Sequence, residues 1–299
     1  MNKAVATNGS NLLAYVTAFF VVTVWGTTFV QTKVLINAGM QPEEIFLYRF
    51  VLAYLIIIPL AGKRLFLDNW RDELAMLLLG VTGGSLYFVT ENTALIYGYC
   101  SNVSLLVCVT PLTTALAMRW VYPVERPGRG VLIGSCVALV GVALVVFNGN
   151  FVLKLSPLAD GLAFAACLCW TLYSLLMQYV QPRYSTMLIM RKVFGYGIIT
   201  ILPIFISRPP RIELLVDGGP VVWGNVLTLG CVASMLCYTL WNYVLKRLGT
   251  VRATNFIYFN PVVTMVCSWM VLDERITWMA LLGAALVLFG MFIAEKNKR

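Results

Sequence analysis

Residues 261–290 read PVVTMVCSWMVLDERITWMALLGAALVLFG, and residues 111–141 read PLTTALAMRWVYPVERPGRGVLIGSCVALVG. The two stretches follow one plan. Each opens on a proline inside an apolar run, Pro111 or Pro261. Each then shows the spacing E-x8-G-x6-G, carried by Glu125, Gly134 and Gly141 in the first and by Glu274, Gly283 and Gly290 in the second. The prolines lie 150 residues apart; after a one-residue deletion the glutamates and glycines lie 149 apart. Asn92 and Asn242 extend the 150-residue register upstream. Near the start of each half, Trp25-Gly26-Thr27-Thr28-Phe29 matches Trp170-Thr171-Leu172-Tyr173-Ser174. The chain is therefore an internal duplication, with copies at about residues 14–147 and 158–293.

Composition says what is duplicated. Of the 299 residues, 60% are hydrophobic and 12% charged, against about 45–50% and about 25% in soluble domains. Too few charges remain to cover a globule in water, and disordered, collagen-like and disulfide-stapled classes are excluded as well. A membrane-crossing helix needs about 20 apolar residues. Candidate spans lie at 12–36, 45–61, 74–95, 102–122, 130–148, 158–180, 187–206, 221–245, 252–272 and 277–294. Breaks such as Gly39-Met40-Gln41-Pro42, Gly62-Lys63-Arg64 and Gln181-Pro182-Arg183 carry the residues that end helices. The first run is too long for a signal peptide and is read as a retained helix. Ten spans give five per copy, and an odd number makes the second copy enter the membrane from the opposite side. The expected fold is an all-α polytopic membrane protein of ten transmembrane helices, arranged as two inverted five-helix repeats.

The net charge of +9 would point to nucleic acid in a soluble protein. Here it reads as the excess of Lys and Arg in cytoplasmic loops. With the N-terminus inside, fourteen Lys and Arg fall in inner segments and four in outer loops. That places both termini in the cytoplasm, the protein in the cell inner membrane, and no nucleic acid among its partners. The eight cysteines lie mostly inside apolar runs without a C-x-x-C pair and read as small buried hydrophobes. No histidine occurs, which removes imidazole metal ligands and histidine-dependent triads. No G-x-x-x-x-G-K-[ST] phosphate loop is present. Catalytic residues, metals and cofactors are not expected.

The segments Asn260-Pro261-Val262-Val263, Asp273-Glu274-Arg275 and Gly283-Ala284-Ala285 to Gly290 look like the C-terminal part of an EamA domain, repeated from Thr110-Pro111 to Gly141. The tandem resembles the ten-helix branch of the drug/metabolite transporter superfamily. The resemblance implies secondary transport of small metabolites, often export of amino acids or related compounds, through a cavity between the halves.

Charges inside a span cost roughly 2.5–3.5 kcal/mol each on the insertion scale, so retained ones are paired or line water. Lys33, Arg49 and Glu91 fall at similar depth in the outer third. One acid and two bases there read as an ion-pair cluster: a brace, an outer gate or a site for a substrate carboxylate. Glu91 is the candidate for a proton-coupled residue. Tyr87 and Glu91 are four residues apart, as are Tyr238 and Asn242 with Trp241 beside them. Trp25 and Thr28 share one helix face, as do Trp170 and Tyr173. Such faces suit a pocket for an amphipathic small molecule; membrane-interface belts and helix–helix hydrogen bonds are the other readings. Asn92 and Asn242, at equivalent repeat positions, serve either ligand contact or a shared structural role. Pro111 and Pro261 bend their helices, as rocking points of alternating access or as static bends. The glycine pairs allow close helix contact, joining the halves or forming a homodimer. The expected partners are a small-molecule substrate and the lipid bilayer, with a homodimer as the third. Two rivals stand beside the carrier: a lipid-modifying membrane enzyme, for which no nucleophile–base or metal-ligand cluster is present, and a non-transporting membrane receptor.

Overall fold

The computed structural model describes residues 8–62, 65–98, 100–122, 128–147, 156–272 and 276–296. Glu125 and Glu274 lie outside the described residues. Among the described residues every regular element is a helix. The first copy runs α1 Asn8–Asn37, α2 Pro42–Ile57, α3 Trp70–Gly80, α4 Leu86–Tyr97, α5 Cys100–Val107, α6 Thr110–Val121 and α7 Arg129–Phe147. The second runs α8 Pro157–Val180, α9 Thr186–Ile201, α10 Ile204–Ser207, α11 Ile212–Asp217, α12 Gly219–Leu227, α13 Cys237–Leu248, α14 Thr250–Asn255, α15 Asn260–Leu272 and α16 Trp278–Lys296. Among the described residues, five stretches are long and apolar enough to cross a membrane: Leu12–Asn37, Trp70–Tyr97, Pro157–Val180, Thr186–Ser207 and Gly219–Leu248. Shorter apolar helices accompany them, including most of α7 and α16. Large apolar side chains such as Phe164, Leu172, Phe289 and Phe292 face outward. In a chain of this composition that is the lipid-facing surface.

Local chemistry sets the helix ends. Pro42 and Pro157 occupy first turns, where a missing N–H costs nothing. Asn69, Ser156 and Ser185 cap α3, α8 and α9 by accepting from backbone N–H groups. Gly249 turns the chain from α13 to α14 at a φ of 82°, a left-handed value that favours glycine.

The copies interlock rather than sit side by side. α1 packs along α13 and α15, and α8 along α4 and α6. Residues Val81–Ser85, between α3 and α4, and Thr228–Leu236, between α12 and α13, wind as wider π turns. The first packs against α9 and the second against α2, so each copy grips the other at its π segment. Small residues allow each crossing. A Cβ on Gly80 would lie 2.6 Å from that of Tyr196 on α9, and one on Gly230, 150 positions later, 2.8 Å from that of Leu52 on α2. Similarly, α1 crosses α15 at Gly26, whose carbonyl accepts from Thr264 Oγ1 at 2.8 Å. α8 crosses α6 at the matching Thr171, 2.7 Å from Thr113.

The tightest seam joins α7 to α16. Gly134, Gly141, Gly283 and Gly290 meet there backbone to backbone: a Cβ on Gly134 would sit 2.4 Å from the Gly290 carbonyl, and one on Gly141 2.6 Å from the Gly283 carbonyl. Of the two roles open for these glycines, the structure uses them to join the halves.

Pro111 and Pro261 correct the expected bends. Neither sits within a continuous helix. α5 stops at Val107 and α6 restarts at Thr110, while the 3-10 turn Phe256–Phe259 separates α14 from α15. Each proline therefore stands in the first turn of a new helix, where its ring clashes with nothing. The carbonyls four residues back, deprived of a proline N–H, find other donors. Val107 accepts from Thr110 Oγ1 at 2.6 Å, and Ile257 accepts from the Asn260 N–H and from the Cys108 thiol, the latter at 3.6 Å.

Candidate functional site

A narrow cleft with a cavity volume of about 40 Å³ lies between the copies. Four pairs of equivalent residues line it: Trp25 with Trp170, Phe88 with Tyr238, Val107 with Ile257, and Thr110 with Asn260. The cavity thus sits on the pseudo-two-fold axis. Its remaining lining residues, Thr28, Phe29, Arg49, Tyr87 and Glu91, all come from the first copy. Symmetry builds the walls, and one copy supplies the charge.

The π turns position the rings. A π turn breaks the regular pairing of backbone groups and leaves carbonyls for other donors. The Gly83 carbonyl of the first copy accepts from Tyr238 Oη of the second at 2.7 Å. The Ala233 carbonyl of the second accepts from Trp25 Nε1 of the first at 3.0 Å. Gly83 and Ala233 are 150 residues apart, so the two copies offer equivalent carbonyls, and they meet donors that are not equivalent, since Tyr238 matches Phe88 and Trp25 matches Trp170. The rings then meet edge to face or tilted: Trp25 lies 5.2 Å from Trp170, 5.8 Å from Tyr238 and 5.1 Å from Trp241, and Trp170 lies 5.1 Å from Tyr87. Trp25→Phe and Tyr238→Phe, which keep a ring and delete the donor, each orphan one buried carbonyl. Each should therefore lower stability by about 1–3 kcal/mol; thermal melts in detergent should show two similar losses.

Arg49 is 2% exposed. Its Nε donates to Ser234 Oγ at 2.8 Å, and its guanidinium lies 4.2 Å from the centre of the Phe88 ring. Glu91 Oε1 accepts from Tyr87 Oη at 2.7 Å, the four-residue spacing placing both on one face of α4. The expected cluster of Lys33, Arg49 and Glu91 does not close into an ion pair. Among the described residues the ion pairs are Arg183–Asp72, Lys192–Glu73 and Arg211–Glu44. Lys33 instead donates to the Leu95 carbonyl at 2.8 Å, away from the cavity. The Leu95 carbonyl lies in the last turn of α4, where carbonyls lack intrahelical donors, whereas Glu91 is buried and already held by Tyr87.

Of the other residues singled out in the sequence, Trp25, Thr28, Tyr87, Trp170 and Tyr238 share the cavity with Arg49 and Glu91. Four do not line it. Tyr173 lies behind Trp170, 4.9 Å from it, against Gly83. Trp241 lies behind Trp25. Asn92 donates to the Pro42 carbonyl at 3.3 Å, and Asn242 Oδ1 accepts from Gln181 Nε2 at 2.7 Å. Asn92 on α4 thus reaches the start of α2 and Asn242 on α13 reaches the C-terminal cap of α8, so each ties its helix to the passage between the first two helices of its copy, a shared structural role. Gln181→Leu should cost about 1–3 kcal/mol by orphaning the buried Asn242 oxygen, read as a drop in melting midpoint with the cavity intact.

Phe29, Phe88, Val107, Thr110, Ile257 and Asn260 were not singled out. The 150-residue offset of the prolines carries their signal, since Thr110 and Asn260 immediately precede them. Trp170 Nε1 and Asn260 Oδ1 are buried and lack a hydrogen-bond partner among the described residues. Polar atoms left so on a cavity wall are available to a bound molecule.

The sequence matches the EamA-like transporter family over residues 12–147 and 157–295. It is 26% identical over 293 residues to a probable amino-acid metabolite efflux pump of Escherichia coli (strain K12), covering 93% of each chain. It is 25% identical over 280 residues to an uncharacterized transporter of Archaeoglobus fulgidus, covering 93% of this chain and 96% of the other. A probable terminal-alkyne amino-acid exporter of Streptantibioticus cattleyicolor is 24% identical over 239 residues, covering 80% of this chain and 77% of the other. A solved crystal structure at 17% identity shares the fold with a TM-score of 0.76, covering 96% of this chain and 99% of that one.

Proposed function

The chain belongs to the EamA-like transporter family, and on that premise we propose that it exports an amino acid or related amphipathic metabolite by alternating access. One observation carries the proposal: a cavity on the axis between the copies, walled by matched aromatic residues and holding one base and one acid that do not pair with each other. The carrier crosses the inner membrane ten times, as two inverted five-helix repeats, with both termini cytoplasmic. The excess of Lys and Arg on the inner segments supports this orientation.

A zwitterion fits the charge of the cavity. Its carboxylate faces Arg49, whose planar guanidinium suits carboxylate geometry. Its ammonium faces Glu91 and the ring faces of Trp25 and Trp170. As the copies part, an apolar side chain packs against the indoles, with Trp170 Nε1 and Asn260 adding polar contacts. Pro111 and Pro261 mark the breaks between half-helices, where backbone can move without breaking a regular ladder. The names of the relatives in Escherichia coli and Streptantibioticus cattleyicolor support both amino-acid chemistry and the outward direction.

Counterflow of radiolabelled amino acids in proteoliposomes tests this. Uptake of apolar and aromatic amino acids is expected, and Glu91→Gln should lose any dependence on an imposed pH gradient that the unaltered protein shows. A panel that shows no movement while membrane lipid is turned over would favour the enzyme reading instead.

A further inference from the structure

Two polar clusters outside the cavity also join the copies, and they are images of each other. At the inner end, under the orientation proposed above, Asp72 stands in the first turn of α3 and is 4% exposed. Its carboxylate accepts from Tyr179 Oη at 2.9 Å, Arg183 Nη1 at 2.8 Å and Tyr184 Oη at 2.7 Å. Arg183 also lies 4.1 Å from the centre of the Tyr179 ring. The neighbouring Glu73 accepts from Lys192, Tyr196 and the Leu67 N–H. At the outer end, Glu44 stands in the first turn of α2 and is 3% exposed. Its two oxygens accept from Arg211 N at 2.9 Å, Nε at 3.1 Å and Nη2 at 3.0 Å, and from the Gln41 N–H at 2.8 Å. Arg211 Nη2 also reaches the Gly39 carbonyl at 2.6 Å.

The topology of the two clusters is the same. Glu44, Arg183 and Tyr184 lie at the passage from the first to the second helix of a copy. Asp72 and Arg211 lie at the passage from the second to the third. Each cluster joins the first passage of one copy to the second passage of the other, on opposite sides of the membrane. The charges are exchanged: the outer cluster has its acid on the first passage, the inner one on the second. Burial pushes the Glu44 carboxyl up, but the Arg211 side chain and the Gln41 and Arg211 backbone donors outweigh it and hold it below the usual carboxylate range. Glu44 therefore stays ionised at neutral pH.

The geometry points to paired gates: Asp72 with Tyr179, Arg183 and Tyr184 latches the inner mouth of the cavity, and Glu44 with Arg211 latches the outer mouth. Both are closed in this structure. When the copies rock apart at one end, the latch at that end breaks and the other holds. Neither latch touches the cavity, so each sets which side is open without contacting substrate. This rests on the alternating-access reading above.

The test is side-specific access to a cysteine at Thr28 on the cavity wall, in full-length protein whose native cysteines have been replaced. An impermeant thiol reagent is added to one face of proteoliposomes at a time. Asp72→Asn and Arg183→Gln are expected to raise alkylation from the face carrying the chain ends at least tenfold, with the opposite face unchanged. Glu44→Gln and Arg211→Gln are expected to do the reverse. Arg183 and Arg211 are half-exposed, so their variants serve if removal of a buried acid prevents folding. Rates that change equally from both faces, or not at all, would make the clusters static braces and overturn the inference. The readout requires no substrate: side-specific shifts without amino-acid movement would leave the latches standing and remove the substrate assignment, while movement without shifts would do the opposite.

Discussion

Leucine in place of Gly141 is expected to remove most of the folded protein. A Cβ there would meet the Gly283 carbonyl at 2.6 Å and the Val287 N–H nitrogen at 2.6 Å. Both neighbours are backbone, so no side chain can turn aside. The helices must separate, and separation opens the matching contacts at Gly134, Gly283 and Gly290. Overpacking costs about 1–3 kcal/mol even where side chains can yield, so a loss at or above the top of that range is expected here. A melting midpoint lower by roughly 10 °C, or no monodisperse protein in detergent, is the predicted outcome. Gly161→Leu is the control. Gly161 is also helical, but a Cβ there meets nothing within 4 Å, and removing a helix glycine is worth up to about 1 kcal/mol in the favourable direction. Equal losses at both positions would show that the α7–α16 seam is not where the halves are held.

Arg49→Met is expected to keep the fold and to lose the substrate. Methionine fills the space of the arginine stem beside Phe88, and exchanging a buried charge for an apolar group of similar volume is often neutral for stability. Hydrogen bonds to a charged group contribute about 1.5–3 kcal/mol, so amino-acid binding should weaken by roughly 10- to 150-fold. A decarboxylated analogue, which offers the guanidinium nothing, should bind both proteins alike. Arg49→Lys should recover little, since an ammonium lacks the planar fork that matches a carboxylate. Equal losses for amino acid and amine would show that Arg49 acts by holding Ser234 and Phe88 in place rather than by reading a carboxylate.

The duplication was legible because glycine and proline have few substitutes. Gly134, Gly141, Gly283 and Gly290 hold a contact that admits no side chain, so their spacing survives in both copies and can be read without a structure. Pro111 and Pro261 were legible as interruptions. Their form was not, because a missing N–H marks a break in pairing without saying whether the helix bends or ends. The aromatic wall was half legible. Trp25 and Trp170 stand in a repeated segment, but the π turns that aim the rings leave no residue pattern beyond Gly83 and Gly84. Lys33 misled for a physical reason: depth along the chain does not fix the direction of a side chain around its helix, and its amine found the Leu95 carbonyl instead of Glu91. Asp72, Glu73 and Glu44 carry no motif or spacing that marks them in the sequence. Their partners lie 107 to 167 residues away in sequence, and tertiary packing alone brings them together.

The inversion of the second copy bears everything else, and single cysteines at two equivalent positions test it most directly. Ala38 follows α1 and Pro182 follows α8, and both are exposed. With the native cysteines replaced and an impermeant thiol reagent applied to sealed vesicles of known orientation, Ala38→Cys is predicted to react only from the outer face. Pro182→Cys is predicted to react only from the inner face. Reaction of both from the same face would mean that the copies run parallel through the membrane, and the axial cavity with its paired gates would have no basis.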